Sequence, residues 1–205
     1  MNLEPTDALL VVDVQRDFCP GGSLAVSGGD EVVPPLRRAI DVFRQSGLPI
    51  FYTRDWHPPD HISFRSRGGP WPVHCVAGSP GAAFHPGLPR PAESEVISKG
   101  DSPDAEAYSG FEGSDLEARL RALGVRRVFV GGLTTDYCVK ETILDALRAG
   151  LRAVLLADVV RAVDVRPGDG ARAVEEMARA GAAEARAADL EERLRPRAGR
   201  GAAPR

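Results

Sequence analysis

The chain has 205 residues, 43% of them hydrophobic, enough to bury one sizeable core and too few to suggest two. Twenty-six Lys and Arg against 29 Asp and Glu leave a formal net charge of -3, which excludes the basic footprint of a nucleic-acid binder or of a protein drawn to anionic membranes. No stretch is long and apolar enough to span a bilayer, the first residues lack a secretory signal pattern, and Cys19, Cys75 and Cys138 form no close C-x-x-C pair, so a cytoplasmic protein with reduced thiols is expected.

Near-continuous apolar runs of strand length stand at 8–12, 49–53, 95–98, 127–130 and 152–156, the pattern of parallel strands buried on both faces. Helical periodicity fills 30–46, 114–123, 136–149 and 170–180, and Gly47, Gly124, Gly150 and Gly181 stand where a left-handed C-terminal cap wants glycine. Residues 182–187 can supply a short sixth strand and 190–194 a last helical turn; 195–205, rich in Arg, Pro, Gly and Ala, reads as a disordered tail. Strand and helix alternate, which predicts right-handed βαβ crossovers and one α/β domain over 1–194: an open, mainly parallel six-stranded sheet with helices on both faces. Residues 56–92 break the rhythm. They show no convincing helix or strand, yet they hold all four histidines, which marks an ordered, site-building loop.

Ligands of an open α/β sheet sit beyond the carboxyl ends of its strands. The chemistry-bearing residues just past those ends are Asp13 after the first run, Asp55 and His57 after the second, Lys99 after the third and Cys138 after the fourth. Cys138 opens a helical pattern, where free N–H groups and the helix dipole favour thiolate over thiol. Asp13 fits the proton carrier that a nucleophilic thiol needs, and Lys99 the cation that steadies developing negative charge. Asp55, His57 and His74 offer one carboxylate and two imidazoles, a set suited to zinc, iron or manganese. His61 is a candidate further ligand or a support for the others, with a merely loop-stabilising role equally open. His85 and Cys75 have no spacing argument that brings them to the site.

The segment from Val12-Asp13-Val14-Gln15 through Asp17-Phe18-Cys19-Pro20-Gly21-Gly22 resembles the opening motif of nicotinamidases in the isochorismatase-like cysteine hydrolase superfamily. The likeness continues through Arg54-Asp55-Trp56-His57, His61-Ile62-Ser63-Phe64, Trp71-Pro72-Val73-His74-Cys75, Lys99-Gly100, Tyr108-Ser109-Gly110-Phe111 and Thr135-Asp136-Tyr137-Cys138-Val139, and covers roughly residues 7 to 185.

That resemblance implies a triad of Asp13, Lys99 and Cys138 and one divalent ion, zinc first, on Asp55, His57 and His74. It further implies a substrate ring held between Phe18 and Trp71, a pocket wall at Tyr108, a cis peptide between Leu133 and Thr134, and an oxyanion held by the N–H groups of Thr134 and Cys138. The implied activity is hydrolysis of nicotinamide, with pyrazinamide as a second substrate, in salvage of NAD. A related cysteine hydrolase acting on another amide or ureido compound is the alternative, and a non-catalytic metal-binding or thiol-sensing module is a more distant one. Many relatives carry alanine where this chain has Thr134, a departure that bears on substrate preference. Apolar helix faces leave a homo-oligomer open.

Overall fold

The computed structural model describes residues 2–191. Its six strands are β1 (Asp7–Val12), β2 (Ile50–Asp55), β3 (Glu95–Lys99), β4 (Arg127–Leu133), β5 (Arg152–Arg161) and β6 (Ala183–Ala185). They hydrogen-bond in the order β3-β2-β1-β4-β5-β6, and every pairing is parallel, so the sheet is wholly rather than mainly parallel. The expected tail at 195–205 lies outside the described residues.

All six residues of β1 are buried, and alternate residues face different layers, as a period of two requires. Leu9 and Val11 pack with Leu36, Ile40 and Phe43 of α1 (Val33–Gln45) and with Leu190 of α5 (Ala187–Glu191). Ala8, Leu10 and Val12 pack on the other face with Leu116 and Leu120 of α2 (Leu116–Ala122), Ile143 and Ala146 of α3 (Lys140–Arg148) and Met177 of α4 (Asp169–Arg179). Sheet order reverses between β1 and β4, whose register runs from Asp7 opposite Arg127 to Val12 opposite Gly132. The crevice beyond their carboxyl ends is therefore the switch point where such sheets bind ligands.

Several element boundaries differ from the sequence reading, among them the last helical turn, which begins at Ala187 rather than at 190. The pattern at 30–46 starts as a 3-10 turn (Gly29–Val32), and the regular helix begins at Val33, because Pro34 and Pro35 fit only a first helical turn whose N–H groups are unused. The pattern at 136–149 starts as a single π turn (Thr135–Val139) before α3. Strand β5 runs on to Arg161, resuming its pairing with β4 after a register shift between Val130 and Gly132. Gly132, at φ +129°, lies so close to β1 that a Cβ would stand 2.0 Å from the Val12 carbonyl oxygen, which only glycine tolerates.

The 56–92 insert contains a single short 3-10 turn, Arg65–Arg67, and is pinned by bridges between Gln15 and Phe84, His57 and Val76, and Phe64 and Trp71. Two side chains from the segment after β1 tie it down further. Gln15 donates to the carbonyls of Asp55 (2.8 Å) and Ala82 (2.9 Å) and accepts from the Asp55 N–H (2.8 Å), while Asp17 accepts from the Cys75 N–H (2.7 Å).

Candidate active site

Asp13 leaves β1 at φ +47°, a left-handed conformation that aspartate tolerates better than most residues. Its N–H donates to the Thr53 carbonyl (3.2 Å), its carbonyl accepts from the Gln15 N–H (2.7 Å), and its Oδ1 accepts from the Thr53 hydroxyl (2.6 Å). Thus held, Oδ2 meets Lys99 Nζ at 3.0 Å with both side chains fully buried. The same ammonium donates to the Ala107 carbonyl (3.1 Å), to Cys138 Sγ (3.5 Å) and, by a short bond, to Asp55 Oδ1. Lys99 reaches Asp55 sideways, since the two are register partners on β3 and β2.

The charges are set by burial and this one cation. Burial pushes Asp13 up and the Lys99 ammonium only partly opposes it, with the Asp55 charge adding to the rise, so its carboxyl stays above the ordinary range. Burial pushes Asp55 up too, but Lys99 and the nearby histidines outweigh it and hold Asp55 well below the ordinary range. Burial alone would neutralise Lys99, yet the two carboxylates keep it firmly charged. For Cys138, burial is again the largest influence, and Asp13 and Asp55 oppose Lys99, so the sulfur rests as thiol. This corrects the thiolate expected from a helix N-terminus: the sulfur sits inside a buried turn facing two carboxylates, and desolvation outweighs the dipole.

Asp55, His57 and His74 present ligand atoms within 4.8 Å of one another, all buried. His57 Nδ1 lies 2.8 Å from the Gly100 carbonyl and His74 Nδ1 2.8 Å from the Pro72 carbonyl, contacts that only a protonated Nδ1 makes. Each ring thereby turns its Nε2 toward Asp55 Oδ2, at 3.6 and 3.9 Å. A carboxylate and two imidazoles oriented by backbone carbonyls suit a divalent ion. Gly100 makes room for one of them: at φ +62°, a Cβ there would stand 2.6 Å from the His57 ring. A second cluster, Asp13, Asp55 and Cys138, also falls within that spacing, but the Lys99 ammonium already contacts all three.

His61 stands beside the metal-type set rather than in it. It stacks on His57 with ring centres 4.1 Å apart, and its nitrogens are taken by the Ser63 hydroxyl (2.7 Å) and the Ala105 carbonyl (2.9 Å). Cys75 is buried in the core, and His85 Nδ1 accepts the Gly87 N–H (3.1 Å), so neither joins the site.

A pocket is lined by Phe18, Trp71, Tyr108, Thr134, Tyr137 and Cys138 together with Asp55, His57, His74, Leu24, Glu106, Ala107 and Val163. Trp71 is fixed by an Nε1–H bond to the Tyr108 hydroxyl (3.0 Å) and by edge-on packing against Tyr137 (5.0 Å), and Phe18 lies 5.7 Å from the His74 ring. The peptide between Leu133 and Thr134 is cis. The Thr134 carbonyl accepts from the Tyr137 (3.3 Å) and Val139 (3.0 Å) N–H groups, passing over the Cys138 N–H between them. Sequence reasoning missed Tyr137 as a pocket wall, and Gln15, Thr53 and Asp17 as supports; Gln15 and Asp17 lay inside the opening motif and Tyr137 directly before the cysteine, which was the available signal.

An isochorismatase domain pattern matches residues 7–189. A nicotinamidase of Escherichia coli (strain K12) is 40% identical over 209 residues, spanning 92% of this chain and 98% of that relative. Among solved structures, a pyrazinamidase of Pyrococcus horikoshii in complex with zinc superposes with a TM-score of 0.85 at 50% identity, covering 89% of this chain and 99% of that one. PnC1 from L. infantum in complex with nicotinate superposes with a TM-score of 0.84 at 38% identity, covering 92% and 96%. A wholly parallel sheet with its charged cluster at the switch point, together with these likenesses along nearly the full matched span, means that this chain belongs to the isochorismatase family.

Proposed function

We propose that this protein hydrolyses nicotinamide to nicotinate and ammonia through a thioester on Cys138. One observation carries the reading: Asp13, Lys99 and Cys138 meet at an aromatic pocket whose lining includes two imidazoles and a carboxylate. Relatives that act on nicotinamide or pyrazinamide, or that hold nicotinate or zinc, support it.

A flat ring enters between Phe18 and Trp71 with Tyr108 against its side, an arrangement worth about 0.5–1.5 kcal/mol per ring pair beyond burial. Asp55, His57 and His74 would hold one divalent ion, zinc first with iron or manganese as alternatives, whose chemistry there is a Lewis-acid anchor for the ring nitrogen. Cys138 attacks the carboxamide carbon as its proton passes to Asp13, whose burial makes it a better base than a solvated carboxylate. The oxyanion forms against the N–H groups of Thr134 and Cys138, with the Lys99 charge close by. Asp13 delivers its proton to the departing nitrogen, ammonia leaves, and the acyl group stays on sulfur. Water then gives a proton to Asp13 and attacks the thioester, and Asp13 passes that proton to the departing sulfur, releasing nicotinate and restoring the thiol.

The same geometry accommodates pyrazinamide. The product is an acid that NAD salvage consumes, and a cytoplasmic enzyme built as a single catalytic domain over 1–194 fits the composition and the three free thiols. The test is ammonia release from nicotinamide by metal-loaded protein beside a Cys138→Ala control. Turnover confined to the wild type supports the reading; none in either moves the search to other amides and ureido compounds.

A further inference from the structure

Thr134 carries a hydroxyl that the folded protein leaves unused. The residue is 3% exposed and lines the pocket next to Cys138, yet its Oγ1 finds no hydrogen-bond partner among the described residues. Its carbonyl, by contrast, accepts from two N–H groups. Two other buried threonine hydroxyls are satisfied: Thr53 donates to Asp13 (2.6 Å), and Thr142 accepts from the Gly110 N–H (2.9 Å). A buried hydroxyl without a partner costs stability that a valine of nearly the same shape would not. Thr134 lines the pocket, so a ligand bound there is the candidate partner for this hydroxyl.

The catalytic geometry determines which part of a substrate lies next to Thr134. With the reacting carbon on Cys138 and the ring nitrogen toward Asp55, His57 and His74, the turn from Thr134 to Cys138 borders the carboxamide. We propose that the Thr134 hydroxyl is a specificity-determining group that donates a hydrogen bond to the carbonyl oxygen of an aromatic carboxamide, beside the two backbone N–H groups. The assignment rests on the amide-hydrolase reading above. As the oxygen gains negative charge the bond strengthens, so its effect falls more on kcat than on KM.

The test compares wild type, Thr134→Val and Thr134→Ser with nicotinamide, and their melting temperatures without ligand. Thr134→Val is expected to lose roughly 10- to 100-fold in kcat/KM, mainly in kcat, while melting no lower than wild type because it removes an unsatisfied group. Thr134→Ser is expected to recover most of the loss. Unchanged kcat/KM in Thr134→Val, an equal loss in Thr134→Ser, or a lower melting temperature for the free valine variant overturns the assignment. Should the wild type release no ammonia, the amide-hydrolase reading fails separately. Nicotinamide then remains a binding probe: a rise in melting temperature larger for wild type than for Thr134→Val supports the hydroxyl contact, and equal rises or none overturn it.

Discussion

Lys99 and Asp55 share a hydrogen bond across neighbouring strands, with the ammonium on Oδ1 while Oδ2 of the same carboxylate faces the two histidines. One cation therefore joins the nucleophile's partners to the metal-type set. Lys99→Met leaves Asp13 and Asp55 buried without their countercharge. Breaking a buried pair in this way costs roughly 3–5 kcal/mol, and loss of the nearby charge should lower turnover by about 10³-fold. Thermal melting and ammonia release check both; a variant that melts like wild type would show that the cation does not hold the carboxylates.

Cys138→Ala should reduce ammonia release to background while nicotinamide still raises the melting temperature. Intact-mass measurement during wild-type turnover should reveal the acyl adduct on the chain, and digestion should place it on the peptide containing Cys138. Residual turnover in the alanine variant would rule out the sulfur as nucleophile.

Treatment with a chelator, or His57→Ala or His74→Ala, should lower the metal bound per chain and raise KM for nicotinamide as well as reduce kcat, because the ring loses its anchor. Elemental analysis beside steady-state kinetics reads both effects. Identical kinetics before and after complete metal removal would contradict the anchor.

Activity should fall on the acid side with an apparent midpoint above 3.8, the ordinary aspartate value, because burial raises Asp13 and only its carboxylate accepts the thiol proton. Lowering pH protonates a raised carboxyl sooner, so the base is lost at higher pH than for a solvated aspartate. A profile of kcat/KM with its acid limb at or below the ordinary value would contradict this role. The limb belongs to the Asp13, Lys99 and Cys138 group as a whole, since their titrations interact.

Gln15→Leu keeps the bulk and removes three hydrogen bonds to the backbone of Asp55 and Ala82. Buried backbone groups left unpaired cost about 1–3 kcal/mol each, so a destabilisation of about 3 kcal/mol is expected with a weaker grip on the metal. Denaturant unfolding and metal titration test it; an effect on stability with unaltered metal affinity would confine Gln15 to the scaffold.

The strands were legible because a parallel sheet buried on both faces demands unbroken apolar runs, and the residues that come after those runs, Asp13, Asp55, Lys99 and Cys138, had to converge at one edge. The clustering of histidines in the insert likewise led to His57 and His74. The features that escaped the sequence depend on lateral neighbours. The π turn at Cys138 looks helical in one dimension, and its thiol resists ionisation because it is buried against carboxylates that arrive from β1 and β2. Gln15 reads as an ordinary polar residue until β2 and the insert lie against it. The unpaired hydroxyl of Thr134 becomes visible only when every potential partner has been positioned.

Asp13, Lys99 and Cys138 stand at or just beyond the ends of β1, β3 and β4, whereas His57, Trp71 and His74 belong to the 56–92 insert, which the side chains of Gln15 and Asp17 help to tie down. Part of the pocket wall is thus carried by a stretch of polypeptide separate from those strands, while Phe18, Asp55, Tyr108 and Thr134 complete it from outside the insert. Exchanging the insert while retaining its two clamps offers a route by which descent, or a designer, can readdress the same nucleophile to a new amide without rebuilding the sheet that carries it.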